Sequence, residues 1–265
     1  MMGGCKFVYF LIQMAFFIQD VYSDDNNDVD DKIIGGRKVN ITDYRFYVLV
    51  VAKLSDTREG NCGGSIINPN HVLTAAHCLI GAISVDVRPG ISSKHESLKD
   101  KPNIGGEYKI HEKFSAETFN YDVAMITLNK DIVMGDYAQP VNLIGADEEI
   151  PVGTKVTVVG FGRISQNGPL SDDLKAVDLE MYSDEYCHKF YGRLPTATQI
   201  CAGHDKDNQS TCSGDSGGPI VFHKTNKQLA LVTAGGRKCA KAKVPKIFTN
   251  LSNKEIHDWI KKHSS

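Results

Sequence analysis

Short runs of β-forming residues recur along most of this chain and constrain its fold more than any other feature. Eight of them follow Ile33, separated by Gly, Pro, Asn and Asp: residues 46–53, 71–76, 84–88, 122–128, 154–162, 174–181, 219–223 and 228–235. Such runs are typical of an all-β sandwich or a pair of barrels. Helix signals are few. The clearest is C-terminal, where Ser252 and Glu255 predict a capping box ahead of an apolar face.

Composition excludes several classes of protein. The chain has 265 residues, of which 41% are hydrophobic and 23% charged, so it fits one or two compact units and not a disordered protein. The formal net charge of −2 gives no long-range field that would attract nucleic acid or a membrane surface. We therefore expect neither as a partner, and any selectivity based on charge must be local.

The first 23 residues have the pattern of a signal peptide. Lys6 precedes an apolar run from Phe7 to Ile18, and small or apolar residues follow at 21–23. A membrane anchor is a weaker interpretation, because the run is shorter than the about 20 residues that a spanning helix needs. The sequence thus predicts a secreted, extracellular protein.

The cysteines fit export. Cys5 lies in the signal, and six cysteines remain, which can form three disulfides in an oxidising compartment: Cys62, Cys78, Cys187, Cys201, Cys212 and Cys239. They lack the CxxC spacing of a structural zinc site. We expect no metal and no other cofactor.

An acidic leader separates the signal from the β-rich part. Five of the nine residues in 24–32 are Asp and none forms an apolar pattern, so we expect this segment to be unstructured. Lys32 then directly precedes the apolar sequence IIGG. This junction is a candidate site of cleavage.

Three short motifs indicate nucleophilic catalysis. They are TAAHC at 74–78, NYDVAMITL at 120–128 and CSGDSGGP at 212–219, and they supply His77, Asp122 and Ser216 in that order. Alone, a histidine beside a cysteine is usually structural, and an aspartate ahead of an apolar strand is usually a cap. Together the motifs are specific: from Ile33 to the C-terminal helix the sequence resembles the trypsin/chymotrypsin-like serine proteases.

The resemblance implies a fold and a domain arrangement. The family fold is all-β, with two perpendicular six-stranded antiparallel β-barrels, a C-terminal α-helix and an active site in the cleft between the barrels. Residues 33–265 would form this protease domain, with the first barrel at about 46–140 and the second at about 141–250. Residues 24–32 would be an activation propeptide.

The resemblance also implies roles for the motif residues. Ser216 would be the nucleophile, His77 its general base and Asp122 the residue that orients the imidazole. The N–H groups of Gly214 and Ser216 would form the oxyanion hole. Thr233 replaces the serine that usually supports the aspartate, although it keeps a hydroxyl.

Activation and partners follow from the same resemblance. Cleavage after Lys32 by a trypsin-like protease would free the α-ammonium of Ile33, which would pair with Asp215 and organise the oxyanion hole. We therefore expect a monomer whose partners are an activating protease, protein or peptide substrates and protein inhibitors. The family pairing would join Cys62 to Cys78, Cys187 to Cys201 and Cys212 to Cys239.

The substrate pocket departs from the family pattern. Ser210 would lie at its base, where no carboxylate is present to bind Arg or Lys, and its walls would include Thr233, Ala234, Gly235 and Lys246. A base of this kind favours large apolar side chains. Lys246 stands where relatives usually carry glycine, and three interpretations stay open: selectivity for acidic side chains, a partly blocked apolar pocket, or a side chain that extends into water.

Ala234, where relatives carry Trp, and Lys246 keep an alternative function open, a secreted binding or regulatory homologue with little or no turnover. Sequons at Asn40, Asn208 and Asn250 are candidate glycosylation sites, of which Asn40 should be the most accessible. No calcium loop can be located in residues 88–107. Digestive, venom, salivary and defence roles fit the sequence equally well.

Overall fold

A computed structural model of the chain describes residues 36–165, 167–192, 195–205, 210–233 and 244–265. These residues belong to one compact unit, Asp31–Ser265, whereas the unit Met1–Asp30 lies outside them. Among them, no helix has the length and apolarity needed to cross a bilayer.

The first barrel closes from six antiparallel strands. Numbered in chain order after the short β1 (Arg37–Lys38), they are β2 (Tyr47–Ser55), β3 (Arg58–Asn68), β4 (His71–Thr74), β5 (Ser84–Pro89), β6 (Ile104–Ile110) and β7 (Ala124–Leu128). Their order around the barrel is β2-β3-β4-β7-β6-β5. Alternate residues of these strands point inward, and Val50, Ile66, Val72, Val87 and Ile126 fill the interior with no exposed surface.

The second barrel is also six-stranded. Its sheet contains β8 (Asn142–Leu143), β9 (Lys155–Gly160), β10 (Lys175–Met181), β11 (Gln199–Gly203), β12 (Pro219–Phe222), β13 (Lys227–Val232) and β14 (Lys246–Asn250). The ring runs β9-β10-β11-β14-β13-β12 and closes because β9 pairs with both β10 and β12. β1 adds to the outside of β10, and β8 pairs in parallel with β13. The all-β, two-barrel prediction is confirmed.

Helices are few, and the C-terminal one begins differently from the prediction. α1 (Asp184–Tyr191) begins after the N-cap Ser183 and is followed by the C-cap Gly192, which has the left-handed φ of 66°. α2 (Lys254–His263) is the predicted C-terminal helix, but its N-cap is Asn253, which accepts from Ile256 N. The predicted capping box is wrong, because the Ser252 hydroxyl donates to the Asn250 side chain instead.

The two barrels share a buried boundary. Leu73 and Met125 of the first barrel belong to the same apolar cluster as the core of the second barrel. A further cluster joins Tyr47 and Leu49 of β2 to Val159 and Phe161 at the end of β9. The chain segments that carry the candidate catalytic residues meet along this boundary.

Candidate active site

His77 and Asp122 are joined by two hydrogen bonds. His77 lies in the 3-10 turn Ala76–Cys78 after β4, and Asp122 lies two residues ahead of β7, the strand that pairs with β4. The Asp122 carboxylate accepts from His77 N at 2.9 Å and binds His77 Nδ1 at 2.7 Å. Asp122 is fully buried, and the imidazole is 16% exposed. Because Nδ1 holds the proton that the carboxylate accepts, Nε2 is left as the basic nitrogen.

The main chain of Asp122 is held as well. The buried Thr249 in β14 donates from its hydroxyl to the Asp122 carbonyl oxygen at 3.0 Å. Thr233, whose hydroxyl the sequence suggested as a support for this aspartate, donates instead to the Ile247 carbonyl oxygen at 2.5 Å. The hydroxyl that holds Asp122 therefore comes from β14.

Ser216 lies in a sharp turn ahead of β12. Gly214 and Gly217 have φ of 97° and 73°, a left-handed conformation that glycine adopts without a steric penalty. A Cβ at Gly214 would lie 2.5 Å from Leu170 Cδ2, so the turn has no room for a side chain there. Within the described ranges, the N–H groups of Gly214 and Ser216 donate to no protein acceptor. The turn thus presents two main-chain donors beside the serine hydroxyl.

This turn packs on the segment that leads into His77. Gly63 N in β3 donates to the Ser216 carbonyl oxygen at 2.7 Å. A Cβ at Gly217 would lie 3.0 Å from Ala75 N, two residues before His77. The structure therefore brings Ser216 and His77 to adjoining segments across the barrel boundary, although no hydrogen bond joins the Ser216 hydroxyl to His77 in the described part of the chain.

Asp215, beside Ser216, is fully buried in the second barrel. Gly162 N donates to its Oδ1 and Cys212 N to its Oδ2, each at 2.9 Å. Burial raises the pKa of Asp215 to about 6, and the two N–H groups and the charge of Lys94 act in the opposite direction. The residues of the predicted activation junction, Lys32 and Ile33, lie outside the described residues.

The predicted pocket residues are described only in part. Lys246 begins β14 and is 4% exposed, so its side chain does not reach open water, and burial lowers its pKa. Ser210 is buried and donates to the Thr211 carbonyl oxygen at 3.1 Å. Tyr191 donates to the Pro245 carbonyl oxygen at 2.6 Å, which fixes the segment ahead of Lys246. Ala234 and Gly235 lie outside the described residues.

The comparison with protein families agrees with this geometry, because the family model for trypsin matches residues 33–260. The chain belongs to the trypsin family of serine proteases. It is 32% identical over 237 residues to trypsin 5G1 of Aedes aegypti, which covers 88% of this chain and 85% of that protein. It is 30% identical over 227 residues to a trypsin of Saccharopolyspora erythraea, covering 83% of this chain and 93% of the relative. The proclotting enzyme of Tachypleus tridentatus is 29% identical over 256 residues, or 90% of this chain and 68% of that enzyme.

Disulfides hold this trypsin-family domain near the site. The structure joins Cys62 to Cys78, which tethers the His77 turn to β3, and Cys187 to Cys201, which ties α1 to β11. Cys212 is also disulfide-bonded, and its expected partner Cys239 lies outside the described residues. In the described part, the one group of donors close enough for a metal is Cys62, His77 and Cys78, but both sulfurs are used in their disulfide.

The sequons differ in their surroundings. Asn40 is exposed, and its side-chain oxygen accepts from Thr42 N, which caps the 3-10 helix Ile41–Asp43. Asn250 is half-buried and donates to the Ala197 carbonyl oxygen. Asn208 lies outside the described residues.

Two features of the site had no counterpart in the sequence reasoning. The Phe119 ring meets the His77 imidazole edge-on at 5.8 Å, from a residue with the left-handed φ of 56°. Lys94 and Tyr47, which belong to the first barrel, interact electrostatically with Asp215. No propensity rule predicts a phenylalanine with a left-handed φ. The local sequence likewise does not indicate contacts between segments that are distant in the chain.

Proposed function

We propose that this trypsin-family chain is a secreted serine endopeptidase in which Ser216 is the nucleophile, His77 the general base and Asp122 the orienting carboxylate. The observation that carries the proposal is the Asp122-bound imidazole of His77 beside a glycine turn in which the N–H groups of Gly214 and Ser216 have no acceptor among the described residues. Hydrogen bonds between nucleophile and base are often long in a free enzyme and shorten when substrate binds.

The proposed reaction begins with acyl transfer. His77 Nε2 takes the Ser216 proton as Oγ attacks the scissile carbonyl carbon, and the new C–O bond gives a tetrahedral oxyanion. The N–H groups of Gly214 and Ser216 stabilise that oxyanion, each by about 3 kcal/mol. When the C–N bond breaks, His77 returns the proton to the leaving amine and an acyl-enzyme remains.

Water completes the cycle. His77 takes a proton from the water that attacks the acyl carbon, and Ser216 leaves with that proton as the ester C–O bond breaks. Asp122 stabilises the imidazolium in both halves of the reaction, since its Oδ2 lies 2.7 Å from Nδ1.

We further infer that the chain is made as a zymogen with a signal peptide at 1–23 and a propeptide at 24–32. Cleavage after Lys32 by a trypsin-like protease supplies the Ile33 ammonium, which pairs with Asp215. The fully buried Asp215, with its pKa raised to about 6 by burial, supports this scheme because an ionised carboxylate there needs a counter-charge.

The proposed pocket should accept a side chain other than Arg or Lys before the scissile bond, either acidic or large and apolar. Ser210 offers no carboxylate at its base, and Lys246 is buried at its wall, where an ammonium would attract a substrate carboxylate. The same side chain takes up space that a large aromatic group would need. An apolar preference is the competing outcome.

A serine-directed fluorophosphonate probe tests the enzyme assignment against a binding protein without turnover. After cleavage at Lys32, the wild-type protein should label stoichiometrically at Ser216 and hydrolyse peptides. Ser216→Ala should fold and be secreted but neither label nor hydrolyse. A folded, cleaved wild-type protein that does not label would establish the non-catalytic alternative.

A further inference from the structure

Lys94 is a charged residue near Asp215 that has no role in the activation scheme. Lys94 lies in the loop between β5 and β6, and its ammonium is 5.4 Å from the centre of the Phe161 ring. Phe161 is 1% exposed and directly precedes Gly162, whose N–H binds the Asp215 carboxylate. A lysine of the first barrel therefore lies over the residue next to Gly162, which binds the buried aspartate of the second barrel.

Main-chain contacts fix the base of the Lys94 side chain. Its N–H donates to the Asp172 carbonyl oxygen at 2.8 Å, and its own carbonyl accepts from the Arg88 guanidinium at 2.9 Å. The neighbouring Ser93 forms a bridge with Asp173. Lys94 is half-buried, and its side chain extends from this fixed backbone to the Phe161 ring.

Two acidic groups, Asp172 and Asp215, interact electrostatically with the Lys94 ammonium, and neither lies within ion-pair distance of it in the described part of the chain. Asp172 is largely exposed and lies beside His95, whereas Asp215 is fully buried. Burial lowers the pKa of Lys94, and the charges of Asp172 and Asp215 oppose that effect. The Phe161 face and the Asp215 charge thus offset part of the desolvation of this cation.

From the Asp215 side, Lys94 is the one cation whose charge acts on the carboxylate among the described residues. The other titratable neighbour is Tyr47, whose hydroxyl is buried close to the main chain of Phe161. Burial and the Asp215 charge raise the pKa of Tyr47, so its phenol stays neutral and supplies no counter-charge.

We propose that Lys94 is a positioning residue of the nucleophile turn, whose ammonium stabilises the Asp215 carboxylate in the chain that has not been cut after Lys32. The inference rests on the proposed function and deepens its regulation. In the uncut chain Asp215 already accepts from Gly162 and Cys212, and the N–H groups of Gly214 and Ser216 donate to no acceptor in the part of the chain that the structure describes. The uncut protein therefore keeps a basal reactivity that depends on Lys94.

The test uses the full chain locked in its uncut form by Lys32→Gln. The rate of fluorophosphonate labelling at Ser216 is measured for this protein and for the same protein carrying Lys94→Met, Lys94→Arg or Lys99→Met. Lys99 is an exposed lysine of the same loop and serves as the matched control. We expect Lys94→Met to slow labelling by about tenfold, and Lys94→Arg and Lys99→Met to label within about twofold of the locked parent.

Cleaved proteins separate the two proposals. In chains with Lys32 intact, cleavage supplies the Ile33 ammonium, so Lys94→Met should then label within about threefold of wild type, which also shows that the variant is folded. A locked parent that does not label, or equal rates for Lys94→Met and Lys99→Met, overturns the role of Lys94 while the cleaved wild type remains active. If the cleaved wild type fails to label, the enzyme assignment itself falls.

Thermal unfolding of the locked proteins gives a readout independent of activity. The folded pKa of Asp215 is raised, so the stability that its protonated form contributes at low pH is lost as pH rises through about 6. Removal of the Lys94 charge enlarges this loss. The Tm of Lys94→Met should fall further below that of the locked parent at pH 8 than at pH 5, and a deficit that is equal at both values would show a purely structural role.

Discussion

Thr249 Oγ1 donates to the carbonyl oxygen of Asp122 at 3.0 Å, and both residues are fully buried. This bond crosses from the second barrel to the segment of the first that orients His77. Both oxygens of the Asp122 carboxylate bind His77, and the Thr249 hydroxyl holds the Asp122 main chain in addition. Thr249 therefore couples β14, the strand that begins with Lys246, to the proposed orienting aspartate Asp122.

Replacement of Thr249 by Val should impair catalysis more than substrate binding. The substitution keeps the shape of the side chain and removes the donor, so the Asp122 carbonyl loses a buried hydrogen bond worth about 1–2 kcal/mol. We expect kcat of the cleaved enzyme to fall about fivefold with KM nearly unchanged. Thr249→Ser should retain activity, and Thr57→Val, at an exposed threonine, is the control. A change confined to KM would contradict the positioning role.

The sequence predicted some strands and failed to predict others, for a physical reason. The eight apolar or alternating runs lie on strands such as β2, β7 and β10, but β3 and β6 were not predicted, because each contains two adjacent glycines that look like turn residues. In the fold these glycines provide close packing. A Cβ at Gly64 would lie 2.9 Å from side chains of Val50 and Val72, and one at Gly106 would lie 2.6 Å from the Thr127 carbonyl oxygen.

The residues of the candidate site also divide into those that the sequence indicated and those that it did not. His77, Asp122 and Ser216 stand in motifs whose local sequence is distinctive, so they could be proposed as catalytic residues before the fold was known. Thr249 and Lys94 act through contacts with residues far away in the chain, and single residues in unremarkable surroundings carry no such signal. The Thr233 hydroxyl, which the resemblance suggested as a support for Asp122, donates instead to the Ile247 carbonyl oxygen. A side chain at the end of β13 can reach more than one acceptor, so the sequence did not determine its partner.

His111 should make folding stability fall in mildly acidic solution. Its imidazole is 4% exposed, stacks on Tyr121 and Trp259, and accepts from Lys113 N through Nδ1. Burial lowers its pKa below the ordinary value of 6.5. The unfolded chain therefore binds a proton at a higher pH than the folded chain, so stability present above pH 6.5 is lost as pH falls through the folded pKa.

The measurement is Tm between pH 8 and pH 5 for wild type, His111→Phe and His188→Gln. His111→Phe keeps an aromatic ring between Tyr121 and Trp259 and removes the titrating group, so its Tm should fall less on acidification than that of wild type. The exposed His188 provides the matched control. His71 and His257, whose pKa values burial also lowers, account for the slope that remains. Equal slopes in all three proteins would contradict the assignment.

Arg88 should stabilise the loop between β5 and β6 without a metal ion. Its buried guanidinium donates to the carbonyl oxygens of Lys94, Glu96 and Lys101. The Glu96 carboxylate also pairs with the Lys101 ammonium at 2.6 Å. Two side-chain cations thus satisfy loop oxygens that would otherwise need another partner.

Arg88→Met should lower stability by about 2–4 kcal/mol, because three carbonyl groups lose a charged donor. For a domain of this size that corresponds to a fall in Tm of about 5–10 °C. Arg58→Met, at an exposed arginine, should leave Tm within about 1 °C. Calcium or a chelator should not change the wild-type Tm, and a rise of several degrees with calcium would show that the loop binds the ion after all.

Lys246 should decide which residue the cleaved enzyme accepts before the scissile bond. Two variants separate its charge from its volume: Lys246→Met removes the ammonium and keeps a long side chain, whereas Lys246→Gly removes both. In a peptide library, both variants should lose at least about tenfold in kcat/KM for Asp and Glu substrates, because a buried charge partner is gone. Only Lys246→Gly should gain activity on Phe, Tyr or Leu, since it alone opens space at the wall. Identical profiles for wild type and both variants would show that the ammonium faces away from the substrate.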